Sequence, residues 1–307
     1  MAVGFFLAEF LGGGRVTPLS RVMPDATRQP FRIDGVAADA YARPAFVPGP
    51  ALVLVHGLAP DGKDDPRLVH AAQLLARTGF QVFVPTVPGL TRGRLRPEDV
   101  EPVVRTIAAV SERHGSHVAL LGVSLGAGPA LLASADPRVR DRVSAVVSLG
   151  GYASASDLVR FFLTGEYAFG KAGGHVTHDP ALVRAFVAAN ADLIDADLER
   201  ALTSGDRAAV ARAVASLPPH TEHVLHVLSP ERVARDITAR LVLIHARGDH
   251  AVPYTESLRL AAARPERTAV IIVDVLQHVE GHAASGWSVA RDLVRIWAAF
   301  YALLAGR

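Results

Sequence analysis

Apolar positions along this chain fall into two rhythms. Short runs (Ala51-Leu-Val-Leu-Val55, Phe80 to Val84, Val118 to Leu121, Val143 to Leu149, Leu241 to Ile244 and Ala269 to Val275) show little or no alternation with polar residues. Runs of that kind predict strands buried on both faces, as in a parallel sheet. Between them the apolar residues are spaced for helices. Pro66 to Thr78 carries Leu68, Ala71, Ala72 and Leu75 and is closed by Gly79. Ala127 to Ala135, Glu98 to Arg113, Tyr254 to Ala263 and Trp287 to Leu304 are further helices on the same grounds. Phe31 to Val36 and Ala38 to Phe46 read as one or two short edge strands joined by a turn, ahead of the turn Pro48-Gly-Pro50. Strands alternating with helices predict an α/β fold with a doubly wound, mostly parallel sheet.

The rhythm breaks from Tyr152 to about Ala239. Strand-like runs disappear, and helix-like segments take their place at Ala155 to Leu163, Pro180 to Leu193 and Arg207 to Leu217, punctuated by Pro218-Pro219 and Ser229-Pro230. The expected organisation is therefore a lead with edge strands (1–48), a first part of the core (49–151), an inserted helical cap (152–239) and a second part of the core (240–307). The cap is expected over the carboxyl ends of the strands.

Composition narrows the function classes. At 307 residues with 50% hydrophobic content, the chain can bury one large core. The net charge is +2, from 32 basic and 30 acidic residues, and no basic run is interleaved with aromatics, so nucleic acid is not an expected partner. There is no cysteine, which excludes disulfides, thiolate metal sites and a cysteine nucleophile. Val3 to Leu11 is apolar but carries Glu9, and as a helix it would span roughly 14 Å against a hydrocarbon core of about 30 Å. It also lacks the basic start and small-residue cleavage site of a signal peptide. It reads as a helix end packing on the domain of a cytoplasmic protein. The alternative is a weak membrane-surface contact through residues 3–11, or the tail of an anchor.

Candidate chemistry centres on one stretch. Val118 to Leu121 leads straight into Gly122-Val-Ser124-Leu-Gly126-Ala-Gly128. Gly-x-Ser-x-Gly between a strand and a helix is a nucleophile elbow, a turn so tight that the residue at its tip is strained and exposed. The geometry presents Ser124 Oγ and aims the backbone N–H of Leu125, at the helix N-terminus, toward a developing oxyanion. A second donor is expected from the loop His56-Gly57-Leu58: the N–H of Leu58, or alternatively that of Ala59. His56 itself reads as shaping that loop.

A serine hydroxyl needs a base, and the base needs an orienting acid. In an open α/β sheet both project from loops at the strands' carboxyl ends. Two loops qualify. One follows Leu241 to Ile244 and carries Asp249; the other follows the last strand and carries His278. Asp249 also suits a plain turn residue closing Arg247 to Val252, and Asp157 is the alternative acid. His282 rivals His278, which follows the strand more directly. His175, His178, His220, His223 and His226 lack tight ligand spacing with acids and read as solvated or packing residues rather than a metal site.

Taken together, Gly122-Val-Ser124-Leu-Gly126, Val55-His56-Gly57, Gly248-Asp249-x-x-Val-Pro253 and the late His278 resemble the α/β-hydrolase superfamily, in its serine esterase and lipase-like branch, over about Pro50 to Tyr301. The resemblance implies an α/β-hydrolase fold with Ser124 as nucleophile, His278 as base and Asp249 as orienting acid. Serine at the tip separates the chain from branches with aspartate there (haloalkane dehalogenases, epoxide hydrolases) or cysteine (dienelactone hydrolases). The long N-terminal lead and the size of the region from Gly151 to Ala239 depart from many members and leave the substrate open.

The expected activity is hydrolysis of a carboxylic ester through an acyl-enzyme, with the Leu58 and Leu125 amides as oxyanion hole and no cofactor or metal. The partner is a small-molecule ester with an apolar acyl group, its pocket supplied by cap aromatics such as Phe161, Phe162 and Tyr167; the same aromatics also suit the cap's own core. Alternatives with the same three residues are an acyltransferase, an amidase or a cofactor-free perhydrolase. A non-catalytic binding protein on this fold is the alternative from another class.

Overall fold

The computed structural model describes residue 9, residues 17–44 and 49–274, and residues 292, 295, 296 and 298. A hairpin opens the sheet: β1 (Thr27–Ile33) and β2 (Val36–Ala42) pair antiparallel around the two-residue turn Asp34-Gly35. That turn lies inside the stretch Phe31 to Val36 that the sequence pattern reads as strand. The first strand accordingly starts earlier and the second ends earlier than expected. Then come β3 (Ala51–Val55), α1 (Pro66–Thr78), β4 (Gln81–Pro85), α2 (Val100–His114), β5 (Val118–Val123), α3 (Ala127–Ala135) and β6 (Val143–Leu149). After an insertion the sheet resumes with β9 (Arg240–Ala246), α9 (Thr255–Ala263) and β10 (Thr268–Val273).

The eight strands lie in the order β1-β2-β4-β3-β5-β6-β9-β10, with β2 antiparallel to β4 and every pair from β4 to β10 parallel. The chain moves outward from β3 to β4, then returns to β3's other side as β5. The loops leaving β3 and β5 therefore diverge, and a crevice opens between their carboxyl ends. Both faces of the sheet are covered, which is why the strand runs are continuously apolar. Val53, Val55 and Leu120 pack in one core with Ile107 of α2 and Leu131 of α3, while Leu52, Leu54 and Leu121 pack in the other with Leu68 and Leu75 of α1. Of the expected C-terminal helix Trp287 to Leu304, residues 292, 295, 296 and 298 are described, all helical, and Ile296 packs in the second core.

The insertion between β6 and β9 holds α4 (Ala155–Thr164), α5 (Pro180–Ala189), α6 (Ala196–Ser204), α7 (Arg207–Val214) and α8 (Pro219–Val227). Two features depart from the sequence pattern. A two-stranded hairpin, β7 (Glu166–Phe169) with β8 (Ala172–His175), follows α4, where no strand was expected. Its strands are half-exposed and contain Gly173 and Gly174, so no apolar run marks them. The second departure is that Pro219 starts a helix rather than ending one, because a proline at the first helical position gives up only an N–H that lacks an intrahelical partner anyway. The insertion is tied to the core through buried Asn190, which donates to the Gly93 carbonyl (3.0 Å) and accepts from Arg96 Nη1 (3.1 Å). Arg96 also pairs with Asp192 at 2.6 Å.

Candidate active site

Ser124 directly follows β5 and begins a 3-10 turn that runs directly into α3. Its φ is +51°, in the left-handed region where only Arg267 joins it among the described non-glycine residues. A side chain held there is strained by about 1–2 kcal/mol, and the surrounding packing imposes it. That packing requires missing Cβ atoms. A Cβ on Gly122 would stand 2.5 Å from Ala127 Cα, and one on Gly126 would stand 2.8 Å from the Val55 carbonyl oxygen. The helix can therefore press on the ends of β5 and β3 together, and the serine is pushed outward at the tip.

The loop after β3 lies against this serine. A Cβ on Gly57 would be 3.1 Å from Ser124 Cβ and 3.6 Å from Ser124 Oγ. The loop's course is fixed by His56, which is buried beneath it. His56 Nδ1 is 2.7 Å from the Gly57 carbonyl, and Nε2 is 2.9 Å from the Val87 amide. A carbonyl only accepts and an amide N–H only donates, so Nδ1 carries the proton and Nε2 is bare. Burial pushes the imidazole's pKa down, against the opposing pull of the Gly57 bond, which keeps it neutral. His56 is thus a strut, spent on both nitrogens. Leu58, next along, has no acceptor for its N–H among the described residues. Leu125, second residue of the helical segment, has no intrahelical acceptor within reach.

Ser124 opens on a cavity of about 460 Å³, within the range of small-molecule sites. Leu58, Leu125, Phe162 and Leu182 line it, as do Leu68 and Ala71 of α1. The sequence pattern predicts α1 as a helix and gives it no part in the site. Its Leu68/Ala71 spacing marks an inward face but not that part of this face is left uncovered. Asp65, the N-cap of α1, also reaches the cavity; its hydrogen bonds to Arg67 hold its carboxyl down at about 2.

The expected cap residues divide. Phe162 lines the cavity, stacked between Phe186 (ring centroids 4.9 Å apart) and His178 (5.4 Å). Phe161 and Tyr167 are not among its lining residues. They meet edge to face at 5.7 Å, Phe161 also against His178 and Tyr167 against Tyr254. Side chains one residue apart on α4 point about 100° apart, so Phe161 and Phe162 cannot share a wall, and Phe161 belongs to the interior of the insertion.

Asp249 sits in the turn after β9. Its Oδ1 accepts from the amides of Ala251 (2.8 Å) and Val252 (3.0 Å), and both of those residues line the Ser124 cavity. Oδ2 faces Gly150 at the end of β6, where a Cβ would come to 3.1 Å. The turn role uses Oδ1 alone and leaves Oδ2 outside those two bonds. Asp157, the alternative acid, is committed elsewhere: it lies on α4 and pairs with Arg160 and with Arg259 (2.8 Å). His278 and its rival His282 lie outside the described residues, as does the segment 3–11 apart from Glu9, which is buried and accepts from the Ser20 amide at 3.0 Å. Among the described residues no three His, Cys, Asp or Glu side chains come together to hold a metal ion, and no helix is long and apolar enough to cross a membrane.

Comparison with known proteins places this geometry. No curated protein sequence matches the chain. Among solved structures, it resembles a Mycobacterium tuberculosis puromycin-hydrolyzing peptidase (TM-score 0.58, 20% identity, 91% of this chain and 40% of that one). It also resembles an acylaminoacyl peptidase of Pyrococcus horikoshii (TM-score 0.58, 16% identity, 94% and 42%). The chain spans about two fifths of the length of these two peptidases. Est1E from Butyrivibrio proteoclasticus is matched over its whole length (TM-score 0.51, 16% identity, 92% and 100%). At these identities the likeness is one of fold. The family model described as alpha/beta hydrolase fold matches residues 50–279, from the start of the first buried strand past the last, and with the strand order and the serine elbow it establishes that the chain belongs to the α/β-hydrolase fold family.

Proposed function

We propose that this protein is a serine hydrolase that cleaves a carboxylic ester with an apolar acyl group through an acyl-enzyme. The observation that carries the reading is Ser124 held at φ +51° on the wall of an apolar cavity, with Gly57 against it. A strained, outward-facing hydroxyl is what nucleophilic attack needs and what packing alone would avoid.

In the proposed reaction Ser124 Oγ attacks the ester carbonyl as His278 takes its proton. The Leu58 and Leu125 amides hold the oxyanion. The tetrahedral intermediate collapses, His278 protonates the leaving alkoxide, and the acyl group stays on Ser124. Water, deprotonated by His278, then attacks the acyl-enzyme; the second intermediate breaks its bond to Ser124 Oγ, which takes the proton back from His278 as the acid is released. Asp249 orients His278 and stabilises its charged form through Oδ2. The base falls to His278 because His56 spends one nitrogen on the Gly57 carbonyl and the other on the Val87 amide after β4, and because His278 follows β10, the neighbour of β9, whose following turn carries Asp249.

The test is hydrolysis of p-nitrophenyl esters from acetate to palmitate by wild type and Ser124→Ala. Activity that falls by about 10⁴-fold or more in the variant supports the reading. Wild type inactive on the whole series and inert to a fluorophosphonate probe contradicts it. Competition of alcohol, amine or peroxide acceptors with water separates an esterase from an acyltransferase or perhydrolase using the same residues.

A further inference from the structure

His245 is the one fully buried histidine besides His56 among the described residues, and nothing in the proposed reaction uses it. It lies on β9, four residues before Asp249. Its Nε2 is 2.9 Å from the Val252 carbonyl and 3.7 Å from Asp249 Oδ2, and its Nδ1 is 2.7 Å from Ser257 Oγ on α9. The proton positions follow from these partners. The Val252 carbonyl can only accept, so Nε2 carries a proton and donates it there. In the neutral ring Nδ1 is then bare, and Ser257 must be the donor. Burial holds the ring neutral: it pushes the imidazole's pKa down, against the opposing pull of Asp249.

We infer that Ser257 and His245 form a positioning pair that holds the Asp249 turn in place and keeps Asp249 Oδ2 free for the catalytic base. The inference rests on Asp249 being the orienting acid. His245 Nε2 stands 3.7 Å from that oxygen, and a small rotation would let its N–H compete with the base for it. The Val252 carbonyl captures the proton instead, and the same peptide segment supplies two amides to Asp249 Oδ1. The Ser257 hydroxyl locks the tautomer that makes this capture work. Asp249 is then left with one oxygen anchored and the other without a hydrogen-bond partner among the described residues, which is the division of labour an orienting acid requires.

The pair is tested by ¹⁵N NMR of histidine-labelled full-length protein together with ester kinetics. The His245 signal is identified by its loss in His245→Gln. It is expected to show a neutral ring protonated on Nε2 in wild type near pH 7, and a tautomer mixture in Ser257→Ala. A His245 ring protonated on Nδ1, or charged, in wild type overturns the inference whatever the enzyme's activity. In kinetics Ser257→Ala is expected to lower kcat about threefold to tenfold with KM little changed, the scale of one hydrogen bond. His245→Leu is expected to lower it further. His245→Gln, whose amide can still donate to Val252, is expected to recover part of the loss. Asp249→Asn separates the two failures. If Asp249→Asn keeps full activity, the acid assignment falls and the inference with it. If that variant loses activity while Ser257→Ala and His245→Leu keep the wild-type kcat, only the positioning pair is wrong.

Discussion

Replacing Gly57 with alanine probes the contact between the β3 loop and the nucleophile. The added Cβ would lie 3.0 Å from the Val123 carbonyl oxygen and 3.1 Å from Ser124 Cβ. Carbon pairs prefer about 3.5–4.0 Å, so the loop or the elbow must give by about 0.4 Å. Overpacking of this kind costs roughly 1–3 kcal/mol, while the stiffer unfolded chain returns about 0.4–1 kcal/mol. The net loss of stability is then about 1–2 kcal/mol, a Tm shift of a few degrees for a chain this size. Catalysis should suffer more. Losing one oxyanion donor outright costs about 10²–10³ in rate, and the displaced loop carries the Leu58 amide. A partial displacement should lower kcat by about 10–100-fold with KM little changed, because the donor acts on charge that develops only in the transition state. The assay is kcat and KM on a p-nitrophenyl ester beside urea denaturation of the same preparation. A Gly57→Ala protein with kcat within twofold of wild type would show that the loop does not bear on the nucleophile.

Three further variants test other links. Ser124→Gly removes the left-handed strain at the elbow and is expected to be about 1 kcal/mol more stable to urea than Ser124→Ala; equal stabilities would refute the strain. Buried His56 has a folded pKa below its ordinary value, so the unfolded chain binds the extra proton and the contribution to stability is complete above about pH 6.5 and lost as pH falls below it. Because burial raises the pKa values of Glu256 and Asp99 and so opposes this trend, the readout is a difference: between pH 7.5 and 5.5 wild type should lose more stability than His56→Gln, by up to about 1.4 kcal/mol, and identical losses would contradict a neutral strut. Asn190→Ala strands the Gly93 carbonyl and the Leu95 amide and should cost about 2–3 kcal/mol, with faster proteolytic nicking of the insertion than of the core; unchanged nicking would mean that Asn190 does not hold the insertion down.

The parts of the fold legible in the sequence are those with one dominant physical signal. β3, α1, α3 and β6 run over the residues that their apolar runs, helical spacing and the closing Gly79 predict, because strands buried on both faces and helices seated between them leave few other registers. Where the signal is mixed, the sequence is silent. The β7–β8 hairpin exposes half its side chains and turns at Gly170-Lys171, so its pattern is that of a loop. α8 begins with the residue most often read as a helix breaker.

At the site, the elbow was legible because Gly-x-Ser-x-Gly between a strand and a helix is a local pattern, although the demand that keeps Gly126 a glycine comes from the distant end of β3. The turn holding Asp249 was legible because Asp249 accepts from amides only two and three residues on. His245 and Ser257 were not: twelve residues apart, they meet only because α9 packs back on β9, and no local pattern records that. Phe162 differs from Phe161 only in the direction in which α4 presents it.

The central claim is that Ser124 is an activated nucleophile. Its most direct test is peptide mapping by mass spectrometry after treatment of the full-length protein with a fluorophosphonate. The account predicts a single adduct, on Ser124, formed at a rate that drops by orders of magnitude in His278→Ala. A folded wild-type protein that takes no label, or takes it on another residue, would contradict it.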